Sequence, residues 1–227
     1  MASLTSHIPN TITSLNLVSG VLGVIFSLRG NLQAGFVCML VAGVFDFCDG
    51  LAARLLKAYS DIGKELDSLC DLVSFGVLPS LMLLQASKIS GGEGIVPYFA
   101  IILAVCSALR LAKFNIDTRQ STDFIGMPTP SGAILAASAA CFLECPAWVF
   151  PVLALLLGLL EVSEIPFFGM KIAKGHKLLD SKRIVFLAAA AAGIVVTIIL
   201  KAHFSLAFLI IFGSYILINL FSLVLKR

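Results

Sequence analysis

Residues 32–56 read LQAGFVCMLVAGVFDFCDGLAARLL, an apolar run that contains three charged side chains, Asp46, Asp49 and Arg54. A helix needs roughly 20 predominantly apolar residues to cross the hydrocarbon core of a bilayer, so this run is long enough. Over all 227 residues, 59% are hydrophobic, 13% are charged and the mean hydropathy is +1.03. These values are typical of a membrane protein and exclude an ordinary water-soluble domain.

Apolar runs of similar length recur along the chain and predict an all-α, polytopic membrane helical bundle. We expect about eight transmembrane helices in a single membrane domain, residues 1–227, with approximate spans 9–28, 32–56, 65–86, 96–115, 131–145, 147–160, 184–201 and 204–225. Glu144 and Pro146 separate the fifth span from the sixth, and both spans are short. The alternative is one long broken helix, which gives seven spans.

The basic residues distinguish between these two topologies. With eight spans, 13 of the 16 Lys and Arg residues lie on one side: Arg54, Lys57, Lys64, Arg110, Lys113, Arg119, Lys171, Lys174, Lys177, Lys182, Arg183, Lys226 and Arg227. The other side receives Arg29, Lys88 and Lys201. The positive-inside rule makes the first side cytoplasmic, so we expect eight spans and both termini in the cytoplasm. Because these cations flank apolar segments and form no stripe, nucleic acid is not an expected partner.

Two neighbouring predicted helices each carry a pair of aspartates. At about 100° per residue, Asp46 and Asp49 share one helix face, and Asp67 and Asp71 lie one turn apart on the next helix. The short connection between these helices makes them antiparallel neighbours. An ionised carboxylate costs at least a few kcal/mol in hydrocarbon, so such residues usually face a cavity and have a function.

Four carboxylates without His or Cys on the same faces suit a hard cation such as Mg²⁺, Mn²⁺ or Ca²⁺. Gly50 and Ala53 share the face of Asp46 and Asp49, and their small side chains leave room for a bulky ligand. Arg54 is a candidate for pairing with a phosphate or with one of the aspartates. Two alternatives remain from the residues alone: an ion-coupled transporter that uses the acids to carry its cation, and salt bridges that only hold the bundle together.

These residues fit a known signature. Asp46, Asp49, Gly50, Ala53, Arg54, Gly63, Asp67 and Asp71 match D-x2-D-G-x2-A-R-x8-G-x3-D-x3-D, so the chain resembles the CDP-alcohol phosphotransferases. The resemblance implies an integral membrane enzyme that transfers a phosphatidyl or related group from a CDP-linked lipid to an alcohol and releases CMP. It also implies one or two divalent ions, Mg²⁺ or Mn²⁺, and a homodimer.

Within that family the chain looks most like the integral-membrane phosphatidylserine synthases. The supporting stretches are IPNTIT at 8–13, RLAKFN at 110–115 and FIGMPTP at 124–130. The departures are Lys113 for the usual Arg, Met127 for Leu, and Ser131 and Gly132 where alanines are common. The loop at 162–171 is only loosely similar, and the resemblance covers roughly residues 8–171.

The resemblance implies direct, metal-assisted transfer from CDP-diacylglycerol to L-serine, giving phosphatidylserine and CMP at a cytoplasm-facing site. The implied metal ligands are the four signature aspartates, Asp46, Asp49, Asp67 and Asp71, and Asp71 is also the implied base. The implied CDP and phosphate contacts are Asn10, Gly50, Ala53, Arg54 and Gly63. For the serine we expect Arg110, Lys113 and Asn115. The alternative acceptors are glycerol 3-phosphate and an inositol phosphate.

Overall fold

The apolar runs of the sequence are helical in the computed structural model, which describes residues 7–117, 124–169 and 181–225. The helices are α1 (His7–Leu28), α2 (Leu32–Leu55), α3 (Asp61–Asp71), α4 (Leu78–Ile89), α5 (Ile102–Ile116), α6 (Thr129–Phe142), α7 (Val149–Val162), α8 (Ser181–Ile199) and α9 (Ser205–Leu225). A π-helical turn, Leu72–Val77, joins α3 and α4 into one continuous helix, and a 3₁₀ stretch, Val96–Ile101, leads into α5.

Strand structure in the described residues is limited to two short antiparallel strands, β1 (Phe124–Ile125) and β2 (Pro166–Phe167). The all-α prediction is therefore confirmed. Within residues 7–117, 124–169 and 181–225, six continuous helical segments are long and apolar enough to cross a bilayer, whereas α6 and α7 are shorter, at 14 residues each. The chain is thus built as a multi-pass membrane protein.

Helices α6 and α7 form an antiparallel hairpin. The amide of Met127, just before α6, donates to the Leu160 carbonyl near the end of α7 at 2.9 Å. The two helices are separated by residues 143–148, which include Pro146. The described structure therefore has two helices where the seven-span alternative has one. The number of membrane crossings and the side of each terminus stay predictions, and Arg119, Lys171, Lys174, Lys177, Lys226 and Arg227 lie outside the described residues.

Helix α1 packs closely against α2 and against the continuous helix 61–89. A Cβ added at Gly20 would collide with Ser74, and one at Gly23 would lie 2.6 Å from a methyl carbon of Leu78. The two glycines therefore permit a close approach between helix axes. This approach brings the polar side chains of α1 beside those of α3.

The connection from α2 to α3 is a tight, well-bonded turn. The amide of Ala58 donates to the Ala53 carbonyl at 3.0 Å and that of Lys57 to the Arg54 carbonyl at 3.3 Å. With φ of 50° at Lys57, this is a Schellman ending of α2. Ser60 then caps α3, since its Oγ accepts from the Gly63 amide at 3.0 Å. The turn fixes α2 and α3 as antiparallel neighbours.

Candidate active site

Three carboxylates converge where α2 and α3 meet. Asp46, Asp49 and Asp67 each offer an oxygen, and these oxygens all lie within 4.8 Å of one another. Oδ2 of Asp49 and Oδ1 of Asp67 are buried and accept no hydrogen bond from the part of the chain that the structure describes. Buried anionic oxygens without donors are costly, and a cation among them removes that cost. The all-oxygen donor set fits Mg²⁺ or Mn²⁺.

Asp71 lies outside this group of three and has a different environment. Its Oδ1 accepts a hydrogen bond of 3.1 Å from Nδ2 of Asn16 on α1. Asn16 is fully buried, and its Oδ1 accepts in turn from the Ser74 hydroxyl at 2.7 Å. The Asn16 amide is thus held by Ser74 and fixes the orientation of the Asp71 carboxylate.

A cavity of about 420 Å³ opens beside the carboxylates, between α1, α2 and the start of α3. Asp49 and Asp67 line this cavity. So do all five residues predicted to contact CDP and phosphate: Asn10, Gly50, Ala53, Arg54 and Gly63. The structure therefore brings the predicted nucleotide residues and two of the predicted metal ligands to one cavity. We call it the first cavity.

Small residues and the N-terminal turn of α3 shape this first cavity. A Cβ added at Gly63 would lie 3.0 Å from Oδ1 of Asn10, so the glycine lets α1 and α3 approach. Arg54 folds back along α2, where its Nε donates to the Gly50 carbonyl at 2.8 Å. The first turn of α3 also borders the cavity, and a helix N-terminus favours anions such as phosphate.

A second cavity, of about 330 Å³, lies between the end of α5, the end of α7 and β1. Arg110 and Lys113, two of the three residues predicted to bind serine, line it. Arg110 is 7% exposed, and its guanidinium carbon lies 4.9 Å from the ring centre of Phe114 and 5.9 Å from that of Phe124. Stacking on aromatic rings of this kind restricts the plane of a guanidinium.

Asn115, the third residue predicted to bind serine, is not among the residues that line the second cavity. Its Nδ2 donates to the Ser68 hydroxyl at 2.9 Å, and its carbonyl accepts from Lys64 at 3.0 Å. Both partners belong to α3. The contacts of Asn115 therefore join α5 to α3, and a role in binding serine stays a prediction.

Two polar residues of the site were not among the predicted site residues. Glu161 lines the second cavity near the end of α7, and Asn16 bonds to Asp71. The signal for Glu161 is an acid at the end of the apolar run LALLLGLL, and an intramembrane acid is functional by default. The sequence marks Asn16 only as a polar residue within an apolar helix, because its partner depends on how α1 packs.

We expect the change Asn16→Ala to lower kcat by about 10- to 100-fold, as is usual for a residue that orients a reactive group through one hydrogen bond. The affinity for Mn²⁺ changes little, since Asn16 contacts none of the three clustered carboxylates. The matched control is Ser14→Ala on the same helix, because the Ser14 hydroxyl bonds only to the Asn10 carbonyl of its own helix among the described contacts. Equal kcat in the two variants would show that Asn16 does not position Asp71.

Gly126 joins β1 to the end of α7 in a conformation that requires glycine. Its φ is 79°, its amide donates to the Ile165 carbonyl at 2.9 Å, and an added Cβ would lie 2.8 Å from the Ser163 carbonyl and collide with that of Glu161. We expect Gly126→Ala to lower the unfolding midpoint in detergent by roughly 5 °C more than Gly91→Ala does.

Gly91 is the matched control because it also has a positive φ, 85°, but no atom of the described residues lies within 4 Å of an added Cβ. The comparison therefore separates collision from backbone strain. Equal unfolding midpoints for Gly126→Ala and Gly91→Ala would mean that the loop containing Gly126 moves away from α7 without loss of stability.

The chain is similar to known proteins of one enzyme family. The family model described as CDP-alcohol phosphatidyltransferase matches residues 6–160. A CDP-diacylglycerol-serine O-phosphatidyltransferase of Methanocaldococcus jannaschii is 32% identical over 210 residues, which cover 92% of this chain and 91% of the relative. A Bacillus subtilis protein of the same name is 39% identical over 129 residues, covering 55% of this chain and 70% of the relative.

A third relative has a different printed name. The archaetidylserine synthase of Methanothermobacter thermautotrophicus is 35% identical over 133 residues, which cover 58% of this chain and 56% of the relative. The family model covers more than half of the chain and includes all eight signature residues. The resemblance read from the sequence is confirmed, and the chain is an enzyme of the CDP-alcohol phosphatidyltransferase family.

Proposed function

We propose that this protein transfers the phosphatidyl group of CDP-diacylglycerol to L-serine and releases CMP. One observation carries the proposal: the first cavity combines all five expected nucleotide contacts with Asp49 and Asp67 of the carboxylate group. The serine-specific names of relatives that share 32–39% identity support the choice of acceptor.

Asp46, Asp49 and Asp67 would hold a divalent ion, Mg²⁺ or Mn²⁺, and a second ion would require Asp71 as a ligand. The chemistry that such an ion supplies, when bound, is neutralisation of the charge on the diphosphate of the donor. Gly50, Ala53 and Gly63 leave room for the cytidine nucleotide beside the helices. Asn10 and Arg54 offer polar contacts in the same cavity.

Asp71 is the proposed base. Its carboxylate would accept the proton of the serine hydroxyl as that oxygen attacks phosphorus, and the hydrogen bond from Asn16 keeps one carboxylate oxygen in place. Transfer is a single direct displacement, in which the bond from phosphorus to the CMP oxygen breaks as the bond to the serine oxygen forms. The Arg110 and Lys113 side chains would bind the serine carboxylate in the second cavity.

The proposal includes the setting of the reaction. The whole chain forms one domain in the lipid bilayer, two copies form a homodimer, and the site faces the cytoplasm. The last point is supported by Arg54, Lys57, Lys64 and Lys113, which lie at the site ends of their helices, whereas Arg29 and Lys88 lie at the opposite ends. Native mass spectrometry in detergent tests the dimer directly.

The test is CMP release by the purified protein given CDP-diacylglycerol and Mn²⁺, with L-serine, glycerol 3-phosphate, myo-inositol 1-phosphate or no acceptor. We expect release to depend on both L-serine and the metal. Release with a phosphorylated acceptor instead would keep the family chemistry and reject the serine assignment.

A further inference from the structure

Glu161 is a buried acid that the proposed reaction has not yet used. It is 1% exposed, near the end of α7, and Oε2 accepts a hydrogen bond of 2.7 Å from the Ser107 hydroxyl on α5. Its other oxygen, Oε1, is buried and receives no hydrogen bond from the described residues. A buried carboxylate oxygen without a donor is costly unless a ligand supplies one.

The structure makes room for this acid. A Cβ added at Gly132 would lie 2.8 Å from Oε1 of Glu161 and 2.6 Å from the terminal methyl of Met127. Alanine at position 132 would therefore crowd the carboxylate. Gly132 and Glu161 fit each other, so the acid is an integral part of the packing between α6 and α7.

The second cavity carries charges of both signs. Glu161 lines it together with Arg110 and Lys113. Cations alone would attract any anion, including a phosphorylated acceptor. A buried acid beside them repels anions and favours a ligand that carries a positive group as well as a negative one.

Glu161 is linked through Ser107 to the helix that carries Asp71. Its partner Ser107 packs on the helix that carries Asp71, since a Cβ at Gly76 would lie 3.1 Å from the Ser107 Cβ. Gly76 is five residues beyond Asp71 on the same continuous helix. The partner of Glu161 therefore packs on the helix that carries the proposed base.

We propose that Glu161 binds the α-ammonium group of the acceptor and thereby selects a zwitterionic amino acid over anionic alcohols. The inference rests on the proposed function and adds to it the residue that recognises the amine. The ammonium group supplies three N–H donors, of which one satisfies Oε1. Arg110 donates to the carboxylate at the other end of the same ligand.

The test compares L-serine with 3-hydroxypropionate, which keeps the hydroxyl and the carboxylate but lacks the amine. In Glu161→Gln we expect the KM for L-serine to rise by about 10- to 100-fold, the range for losing a hydrogen bond to a charged group. The inhibition constant of 3-hydroxypropionate against serine-dependent CMP release stays unchanged or falls. A merely structural role would change both constants together.

Three further variants complete the experiment. Glu144→Gln makes the same chemical change in the loop at the other end of the α6–α7 hairpin and should behave as wild type. Glu161→Asp keeps the charge and should restore part of the serine affinity. Ser107→Ala removes only the bond to Oε2, so it tests the same carboxylate if Glu161→Gln does not fold.

The outcomes separate the inference from the proposed function. Wild-type protein that releases CMP with another acceptor but not with L-serine would overturn the proposed function. A different result would overturn the role of Glu161 alone. In that case the wild-type protein uses L-serine, but folded Glu161→Gln or Ser107→Ala keeps the wild-type ratio of the KM for L-serine to the inhibition constant of 3-hydroxypropionate.

Discussion

Replacing Asp71 with asparagine lowers kcat for serine-dependent CMP release by about 10²- to 10⁴-fold, because it removes the proposed base from the acceptor hydroxyl. Asparagine has the same shape as aspartate, and its side-chain oxygen can still accept the hydrogen bond from Asn16. The fold and the packing of α1 on α3 are therefore kept. The measurement is the initial rate of CMP release at saturating L-serine and Mn²⁺.

The effect of Asp71→Asn is specific to the chemical step. Asp71 lies outside the group formed by Asp46, Asp49 and Asp67, so we expect one Mn²⁺ to bind to the variant as it does to the wild type. Release within tenfold of the wild-type rate would contradict the assignment of Asp71 as the base. Loss of all Mn²⁺ binding would instead make Asp71 an essential ligand.

Replacing Asp49 with asparagine weakens Mn²⁺ binding by at least about 100-fold, because it removes a charged ligand from a group of only three carboxylates. Asp49 is the most buried member, at 6% exposed, and one of its oxygens has no donor among the described residues. Electron paramagnetic resonance of free Mn²⁺, titrated with protein in detergent, measures this affinity directly. Enzyme activity falls together with the affinity for Mn²⁺.

The same variant changes thermal stability in a characteristic way. Without metal, Asp49→Asn unfolds at a higher temperature than the wild type, since one of three mutually repelling carboxylates is gone. With Mn²⁺, the wild type gains stability and the variant does not. The control is Glu65→Gln, an exposed acid on α3 outside the group. Equal Mn²⁺ affinity in Asp49→Asn and Glu65→Gln would contradict a metal site at these aspartates.

The sequence predicts best what depends on spacing within one helix. Asp46, Asp49, Gly50 and Ala53 lie on one face of α2 by helical periodicity, and the short connection to α3 makes that face meet Asp67. The first cavity is the result, and all five residues expected there line it. The eight apolar runs likewise become eight continuous helical segments in the described residues.

Contacts between distant segments could not be predicted in this way. The bond from Asn16 to Asp71 depends on the packing of α1 at Gly20 and Gly23, and that from Ser107 to Glu161 on the contact between α5 and α7. The third span also begins at Asp61 rather than near residue 65, because Ser60 caps a polar first turn that hydropathy does not reveal. Asn115 fits the RLAKFN motif, but its contacts are with α3 and it does not line the second cavity.

The central claim is the transfer of a phosphatidyl group to serine at the aspartate cluster. It is tested most directly by reconstituting the purified protein in vesicles that contain CDP-diacylglycerol, with Mn²⁺ and radiolabelled L-serine, and measuring both products. We predict labelled phosphatidylserine and CMP in equal amounts, with both formed at least about 100-fold more slowly by Asp71→Asn and neither formed after chelation of the metal. Folded protein that forms no labelled lipid, or that releases CMP without consuming serine, would contradict the account.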